Sequence, residues 1–377
     1  MRRFLALMCA LLMIPTLAFS EEIEKMEAGE EEFVVEARGA ILIEALSGRV
    51  LYEQNADVML PMASTTKIMT CLLALEHSSL SDVVTASANA YGTTGTSIYL
   101  SEGESLTMEQ MLYGLMLRSG NDAAVAVAEH VAGSVDAFAA MMNARAAQLG
   151  VDAHFVNPHG LDTPGHAASA RAMALIMREA LKNEEFVRIA STKKKIIPWP
   201  GNEYSRVLQN KNRLLTSYEG ALAGKTGYTD NAGRCLVFSA ERNGMVLIGA
   251  VLNCPTWFDT AEKLLDYGYE SYRMEHFYDA GQIVHTLDLS GGQKRTVDLV
   301  AASQLAFPLR IGETYEIGLL IPDEAPAPVR KGDVAGRAVA YIDGLEIASV
   351  DLLYQKDVYQ SSFEAAIRRL IALWLIA

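Results

Sequence analysis

The spacing of apolar residues changes along the chain and separates regions of strand from regions of helix. Two apolar-rich runs, Gly39 to Ala45 and Arg49 to Glu53, flank Leu46-Ser47-Gly48 and predict a β-hairpin. Helical spacing follows, and the predicted helices begin at about Ser64, Thr107, Asn121 and Ser169. Gly233 to Ala240 and Met245 to Asn253 then flank an Asn-Gly turn and predict a second hairpin. Strands on both sides of a helical middle predict an α+β fold, an antiparallel sheet with helical layers, over 37–275.

The pattern changes again at about residue 276. Helical spacing stops there, and short alternating strands predict a small all-β domain over 276–356. Its predicted strands include Arg295 to Ala301, Thr314 to Ile321, Arg337 to Ile342 and Leu345 to Leu352.

Residues 359–377 predict an amphipathic helix. Its apolar stripe, at spacings of four, three and four, consists of Phe363, Ile367, Leu370 and Trp374. The closing apolar run is shorter than the roughly 20 residues that span a bilayer. The pattern favours a helix that lies in the plane of a membrane, with Trp374 at the interface, over a terminal helix packed on the core.

The N-terminus predicts export. Arg2 and Arg3 precede an apolar run from Phe4 to Leu17, and Ala18-Phe19-Ser20 is typical of a signal-peptide cleavage site. We therefore expect a signal peptide over 1–20. Residues 21–36 are rich in glutamate and predict a flexible acidic leader.

Charge and cysteine content narrow the function classes. The formal net charge of −14 argues against nucleic acid as a partner, because binding to phosphates needs a basic surface. Removal of the signal peptide leaves Cys71, Cys235 and Cys254, with no CxxC pair. We expect buried thiols rather than a structural disulfide.

The first candidate for chemistry is Ser64-Thr65-Thr66-Lys67, at the start of a predicted helix. A spacing of three residues places the Ser64 hydroxyl and the Lys67 amine on one helix face. Lys67 can act as the base that activates Ser64 if burial and a neighbouring cation lower its pKa. Ser191-Thr192-Lys193-Lys194 has the same spacing, but it lies in a lysine-rich run before a proline and opens no apolar helix.

Two further motifs follow in order. Ser119-Gly120-Asn121 lies between two predicted helices, where Ser119 can relay a proton and Asn121 can orient Lys67 and a substrate carbonyl. Lys225-Thr226-Gly227 precedes the second hairpin and predicts a strand on which Lys225 and Thr226 bind a carboxylate. A phosphate-binding loop is the alternative for this third motif, but that loop needs glycine where Glu219 stands.

The three motifs in this order resemble those of the serine-type D-alanyl-D-alanine carboxypeptidases (peptidase S11), the low-molecular-mass penicillin-binding proteins. Asn157-Pro158-His159-Gly160-Leu161 and the run from Asn210 to Leu215 also fit this family. The resemblance covers essentially the whole chain. It implies a β-lactamase/transpeptidase-like catalytic domain and location at the extracytoplasmic face of the bacterial membrane.

The resemblance also implies a reaction and its residues. The substrate would be the peptidoglycan stem pentapeptide, which loses its terminal D-alanine through an acyl-enzyme that penicillin also forms. The implied roles are Ser64 as nucleophile, Lys67 as base, Ser119 and Asn121 in the proton relay, Lys225, Thr226 and Gly227 in substrate binding, and the N–H groups of Ser64 and Tyr228 as oxyanion hole. No metal or organic cofactor is implied, and His154, His159 and His166 favour loop packing over a metal site.

Two alternatives stay open at this point. A class A β-lactamase shares this chemistry but uses a glutamate in a loop after the second motif, and 151–166 contains none. A non-catalytic sensor of penicillin or cell-wall peptides would keep Ser64 and Lys67 but need a signalling module, which the sequence does not show.

Overall fold

A five-stranded antiparallel sheet lies at the centre of the region that ends at Ser271, and its strands have the order β2-β1-β11-β10-β9. The computed structural model describes residues 33–361 together with Ile367, Ile371 and Trp374. The predicted signal peptide and most of the predicted acidic leader lie outside the described residues, and 33–36 contain no helix or strand. The sheet consists of β1 (Gly39–Glu44), β2 (Val50–Gln54), β9 (Ala221–Thr229), β10 (Gly233–Arg242) and β11 (Met245–Leu252).

Helices and short strand pairs surround this sheet. The α-helices in the described part are α1 (Lys67–His77), α2 (Ala88–Tyr91), α3 (Met108–Tyr113), α4 (Asn121–Ala132), α5 (Val135–Leu149), α6 (Ala170–Ala180), α7 (Glu184–Ser191), α8 (Leu214–Ser217) and α9 (Trp257–Ser271). The short strands pair as β3 (Val83–Thr85) with β4 (Ser105–Thr107), β5 (Ala153–His154) with β6 (Ala167–Ala168), and β7 (Lys194–Ile197) with β8 (Arg206–Gln209).

Both faces of the central sheet are covered. All six residues of β1 are buried, and they alternate in direction as a strand requires. Ile41 and Ile43 belong to the large core that includes the apolar faces of α1, α4 and α6. Leu42 points the other way, toward Gly268 of α9. Helices on both faces explain why β1 is a continuous apolar run rather than an alternating one.

One predicted helix differs from the observed one. The run predicted from Thr107 to Leu117 is an α-helix over Met108–Tyr113 that widens into a π-helical turn over Gly114–Arg118. The turn ends at Ser119, which has left-handed backbone angles (φ 65°). The other predicted helices and both predicted hairpins are confirmed to within a few residues.

Between Tyr272 and Tyr354 the described secondary structure consists of strands. These strands are β12 (Tyr272–Tyr278), β13 (Ile283–Ser290), β14 (Thr296–Ala301), β15 (Leu305–Arg310), β16 (Glu316–Leu320), β17 (Glu324–Pro326), β18 (Val334–Ile342) and β19 (Leu345–Tyr354). A six-stranded sheet has the order β16-β18-β19-β14-β13-β17, and β12 pairs with β15. The strands enclose a separate apolar core that includes Leu287, Leu299 and Leu352. Strand β12 runs across the predicted limit at 275/276, and the predicted domain limits stay predictions.

Three residues are described in the predicted C-terminal helix. Ile367, Ile371 and Trp374 are helical, and Trp374 is 86% exposed. Phe363 and Leu370 of the predicted stripe lie outside the described residues. Across the described residues no single helix has the length and apolarity to cross a membrane, although the bent pair α4 and α5 passes by length and composition.

Candidate active site

Ser64 and Lys67 lie at the start of α1. Residues Ala63–Thr66 form a short 3-10 turn, and the α-helix continues from Lys67. The Lys67 Nζ atom is 2.9 Å from Ser64 Oγ. Lys67 is fully buried, whereas Ser64 is half-buried and so can meet a ligand. The structure therefore brings the predicted nucleophile and base into direct contact.

The other partners of Lys67 fit a neutral amine. Nζ donates to Asn121 Oδ1 at 2.8 Å and to the His159 carbonyl oxygen at 2.5 Å. Both of these oxygens can only accept, so they use two N–H groups. The remaining partner, the Ser64 hydroxyl, can donate its own proton. A neutral lysine, with two N–H groups and one lone pair, satisfies all three partners at once.

Burial lowers the pKa of Lys67 well below its usual range. The positive charges of Lys225 and Lys211 lower it further, and the Asp122 carboxylate acts in the opposite direction. The neutral form, which is compatible with these contacts, is thus favoured by the surroundings.

Ser119 and Asn121 lie at the connection between α3 and α4, and their side chains contact the two motif lysines, Lys225 and Lys67. The π-helical turn and the left-handed angles of Ser119 project its hydroxyl toward Lys225, whose Nζ donates to Ser119 Oγ at 3.0 Å. Asn121, the first residue of α4, donates from Nδ2 to the Thr94 carbonyl at 2.8 Å. That bond identifies Oδ1 as the atom that faces Lys67.

Lys225 lies on β9, an edge strand of the central sheet, as its position before the hairpin predicted. Its Nζ donates to Ser119 Oγ and, at 2.8 Å, to the Thr226 carbonyl oxygen. Burial, followed by the charge of Lys211, lowers the pKa of Lys225 to about 7. An ammonium group has three N–H donors, so one is left for an anionic ligand.

Gly227 packs against the backbone of Ser64, the predicted nucleophile. A Cβ atom at this position would lie 2.8 Å from the Ser64 backbone nitrogen and 3.0 Å from the Met62 carbonyl oxygen. Any side chain here would cover the Ser64 N–H group. The next residue, Tyr228, has an exposed side chain that donates to Asp230.

Some contacts of the candidate site were not predicted from the sequence. The sequence predicted loop packing and hydrogen bonding for His159 and His166 but not the partners: the His159 carbonyl contacts Lys67, and the buried His166 ring contacts Thr66. Lys211, which lowers the pKa of both motif lysines, was noted only as part of a family-like run. Neither main-chain contacts nor long-range charge effects leave a motif in a single sequence.

The second SxxK match does not form a site. Ser191 is the last residue of α7, and Lys194 is the first residue of β7, so they share no helix face. The three cysteines are buried free thiols, as expected. Among the described residues no cluster of three metal-ligating side chains is present.

Comparison with known proteins agrees with this geometry. A family model described as D-alanyl-D-alanine carboxypeptidase matches residues 25–256, which is more than half of the chain. The chain belongs to this family. A second model, described as penicillin-binding protein 5, C-terminal domain, matches residues 272–360. The predicted family, fold class and D-alanyl-D-alanine carboxypeptidase function are confirmed.

Individual relatives extend the similarity over nearly the whole length. The chain is 32% identical to D-alanyl-D-alanine carboxypeptidase DacF of Bacillus subtilis over 99% of both chains. It is 33% identical to DacC of Escherichia coli over 87% of this chain and 86% of that protein. Among solved structures, penicillin binding protein 5 from Haemophilus influenzae superposes with a TM-score of 0.75, at 29% identity, covering 88% of this chain and 100% of that one.

Proposed function

We propose that this protein is a serine-type enzyme that removes the terminal D-alanine from peptidoglycan stem pentapeptides through an acyl-enzyme on Ser64. The observation that carries the proposal is the contact of Ser64 Oγ with Lys67 Nζ, which Asn121 and the His159 carbonyl hold in place. A hydroxyl becomes a competent nucleophile only when a positioned base takes its proton.

Acylation follows from this arrangement. Neutral Lys67 takes the Ser64 proton as Oγ attacks the carbonyl carbon of the penultimate D-alanine. The N–H groups of Ser64 and Tyr228 bind the oxygen that becomes negative, as in other oxyanion holes. As the C–N bond breaks, Ser119 delivers its proton to the departing amine and recovers one from Lys67, which is thereby neutral again, while Lys225 stays an ammonium and holds Ser119 by its hydrogen bond. D-alanine leaves, and its acyl partner stays on Ser64.

Deacylation reverses these roles. Lys67, again neutral, takes a proton from water, and the resulting hydroxide attacks the ester carbonyl. The C–Oγ bond breaks, and Ser64 recovers its proton from Lys67. The shortened peptide leaves as the product.

Lys225 and Thr226 bind the substrate's terminal carboxylate. Lys225 titrates near neutrality in the free enzyme, and a bound carboxylate raises its pKa and holds the ammonium form. A peptide with a C-terminal amide lacks this ion pair. It is therefore expected to be a poor substrate.

Mass analysis of a synthetic stem pentapeptide ending in D-Ala-D-Ala tests the proposal. The unsubstituted enzyme and the Ser191→Ala control, which alters the unrelated SxxK match, are expected to release D-alanine. Ser64→Ala is expected to release none and to take up no fluorescent penicillin. Labelling of Ser64→Ala by the penicillin would overturn the assignment of the nucleophile, and no D-alanine release by the unsubstituted protein would favour a sensor.

The lifetime of the penicillin adduct separates the two enzyme classes. A long-lived adduct on Ser64, followed by intact-protein mass, is expected of a carboxypeptidase. Rapid penicillin turnover would instead favour a β-lactamase.

We also propose that the protein is exported and held at the outer face of the cytoplasmic membrane by its C-terminal helix. The support is the signal-like N-terminus and the exposure of Ile367, Ile371 and Trp374, which lie at i, i+4 and i+7. Sedimentation with anionic vesicles is expected for the mature chain and not for a chain ending at Ser361. Equal sedimentation of both would contradict the anchor.

A further inference from the structure

A buried histidine is connected to the backbone of the nucleophile by two hydrogen bonds. His166 Nε2 lies 2.9 Å from Thr66 Oγ1, and the Thr66 hydroxyl donates to the Ala63 carbonyl oxygen at 2.8 Å. His166 is 5% exposed and Thr66 is fully buried. None of these contacts takes part in the proton transfers derived above.

The second ring nitrogen determines the direction of this chain of bonds. The Val156 N–H group donates to His166 Nδ1 at 3.0 Å, so Nδ1 carries a lone pair. The ring proton of the neutral imidazole is therefore on Nε2. Nε2–H donates to Thr66 Oγ1, and Thr66 in turn uses its only hydroxyl proton on Ala63.

The last acceptor in this series of hydrogen bonds, the Ala63 carbonyl oxygen, belongs to the peptide group that joins Ala63 to Ser64. The Ala63 carbonyl and the Ser64 N–H are the two ends of one planar trans peptide, so holding the oxygen orients the hydrogen. Ala63 has left-handed backbone angles (φ 48°), a conformation that costs free energy unless its surroundings impose it. A hydrogen bond accepted by the carbonyl also polarises the N–H of the same peptide.

Two glycines leave room for this peptide. A Cβ at Gly160 would lie 1.9 Å from the Ala63 carbonyl oxygen, so the loop that contains His166 covers the oxygen end. A Cβ at Gly227 would lie 2.8 Å from the Ser64 nitrogen at the opposite end. Only glycine at these two positions allows both backbone segments to pack this closely against the peptide between Ala63 and Ser64.

We infer that His166 is a positioning residue for the oxyanion hole, acting through Thr66 and the Ala63 carbonyl on the Ser64 N–H group. The inference rests on the proposed function, because it assumes that the Ser64 N–H binds the developing oxyanion. It assigns His166 no contact with substrate and no proton transfer during turnover.

Two substitutions of His166 separate its two hydrogen bonds. In His166→Asn, the amide oxygen can replace Nδ1 as acceptor for Val156, but nothing reaches Thr66. In His166→Gln, the amide nitrogen can replace Nε2 as donor to Thr66. We expect His166→Asn to lower the first-order rate of acylation at saturating penicillin roughly tenfold to a hundredfold, less than the roughly hundredfold to thousandfold lost when an oxyanion donor is removed outright. His166→Gln is expected to restore most of that rate.

Thr66 and its neighbour form a matched pair. Thr65 is equally buried, and its hydroxyl donates to the Met62 carbonyl oxygen at 2.6 Å. That oxygen belongs to the peptide between Met62 and Ala63, one position before the peptide that carries the Ser64 N–H group. Thr66→Val is expected to slow acylation as His166→Asn does, whereas Thr65→Val is expected to leave the rate nearly unchanged. The double variant His166→Asn/Thr66→Val is expected to be no slower than either single variant, because both break one chain of bonds.

The measurements are the saturating acylation rate, the apparent affinity for the penicillin and the thermal unfolding midpoint of each variant. A lower rate with unchanged affinity and with rescue by His166→Gln supports the inference. Equal slowing by Thr65→Val and Thr66→Val, or additive loss in the double variant, would overturn it. Failure of the proposed function appears differently, as labelling of Ser64→Ala.

Discussion

Arg49 and Glu313 form a bidentate ion pair that joins the first hairpin to the C-terminal β region. Arg49 Nη1 lies 2.7 Å from Glu313 Oε2, and Nη2 lies 2.7 Å from Oε1. Nη1 also donates to the Pro308 carbonyl oxygen at 2.6 Å. The guanidinium carbon is 5.3 Å from the ring centre of Tyr272 and 5.2 Å from that of Phe307, within range of cation–π attraction.

Loss of Arg49 is therefore expected to weaken the coupling between the two regions. Arg49→Ala leaves Glu313 half-buried without its partner and should lower the free energy of unfolding by about 1–3 kcal/mol. Calorimetry is expected to show a broader or divided transition in place of one cooperative one. D-alanine release should be unchanged, because Arg49 contacts no residue of the site.

Two variants calibrate this prediction. Arg49→Lys keeps the charge but cannot form the bidentate fork, so its effect should be intermediate. Arg273→Ala removes an arginine whose side chain is 69% exposed and 3.8 Å from Glu275, and it should change little. An unaltered transition in Arg49→Ala would contradict the assigned coupling.

The pH dependence of acylation should respond to Lys211. Its positive charge lowers the pKa of Lys67, so Lys211→Gln is expected to raise that pKa. At any pH below this raised pKa, a smaller fraction of Lys67 is neutral than in the unsubstituted protein, and acylation is therefore slower. The acid limb of the saturating acylation rate should therefore move to higher pH.

The neighbouring Lys193 provides the control for Lys211. Lys193 lines the same surface cavity as Lys211 but is not among the charges that lower the pKa of Lys67. Lys193→Gln should leave the pH profile in place. An unmoved or downward-shifted acid limb in Lys211→Gln would show that the charge of Lys211 does not act on the base.

Sequence reasoning predicted which side chains the fold brings together at the candidate site, because each one lies within a short motif whose local structure is predictable. Ser64 and Lys67 needed only helical spacing to meet, and Lys225 needed only a strand before a hairpin. It failed where a contact depends on the whole fold. The bond between His166 and Thr66 joins residues 100 positions apart. The carbonyl of His159 has no side-chain signature at all.

The same limit explains the misjudged elements. The π-helical turn over Gly114–Arg118 adds its extra residue within five positions, too few to disturb an apolar periodicity. Strand β15 was not among the strands named from the sequence, and it contains Pro308, which is unusual within a strand. Pro308 is tolerated there because β15 pairs with β12 alone, which leaves the proline on an edge.

A methyl group at Gly227 is expected to close the proposed oxyanion hole. Its Cβ would lie 2.8 Å from Ser64 N and 3.0 Å from both the Ala63 Cβ and the Met62 carbonyl oxygen. Gly227→Ala should lower the acylation rate by about a hundredfold or more, the usual effect of losing one oxyanion donor. Stopped-flow labelling with a fluorescent penicillin measures the rate, and a near-normal rate in a folded variant would contradict the prediction.

Two histidines, the half-buried His159 and the buried His166, should make the fold less stable in mild acid. Burial, followed by the charges of Lys67 and His166, lowers the pKa of His159 to about 3. Burial, followed by His154, lowers the pKa of His166 to about 4, with Asp162 opposing and Lys67 adding to the shift. In the unfolded chain an imidazole has a pKa of about 6.5.

The direction of the change in stability with pH follows from whether the folded or the unfolded chain binds more protons. Between pH 6.5 and about 4 the unfolded chain takes up protons that the folded one excludes, so the stability present above pH 6.5 is lost as the pH falls. The loss is at most on the order of 2 kcal/mol per imidazole between pH 6.5 and 5. Urea unfolding at pH 7 and pH 5 measures it. His166→Gln should reduce the difference between the two pH values, whereas the control His77→Gln, at an exposed position of α1, should reproduce that of the unsubstituted protein. An equal difference in all three proteins would show that His166 is not held neutral by the fold.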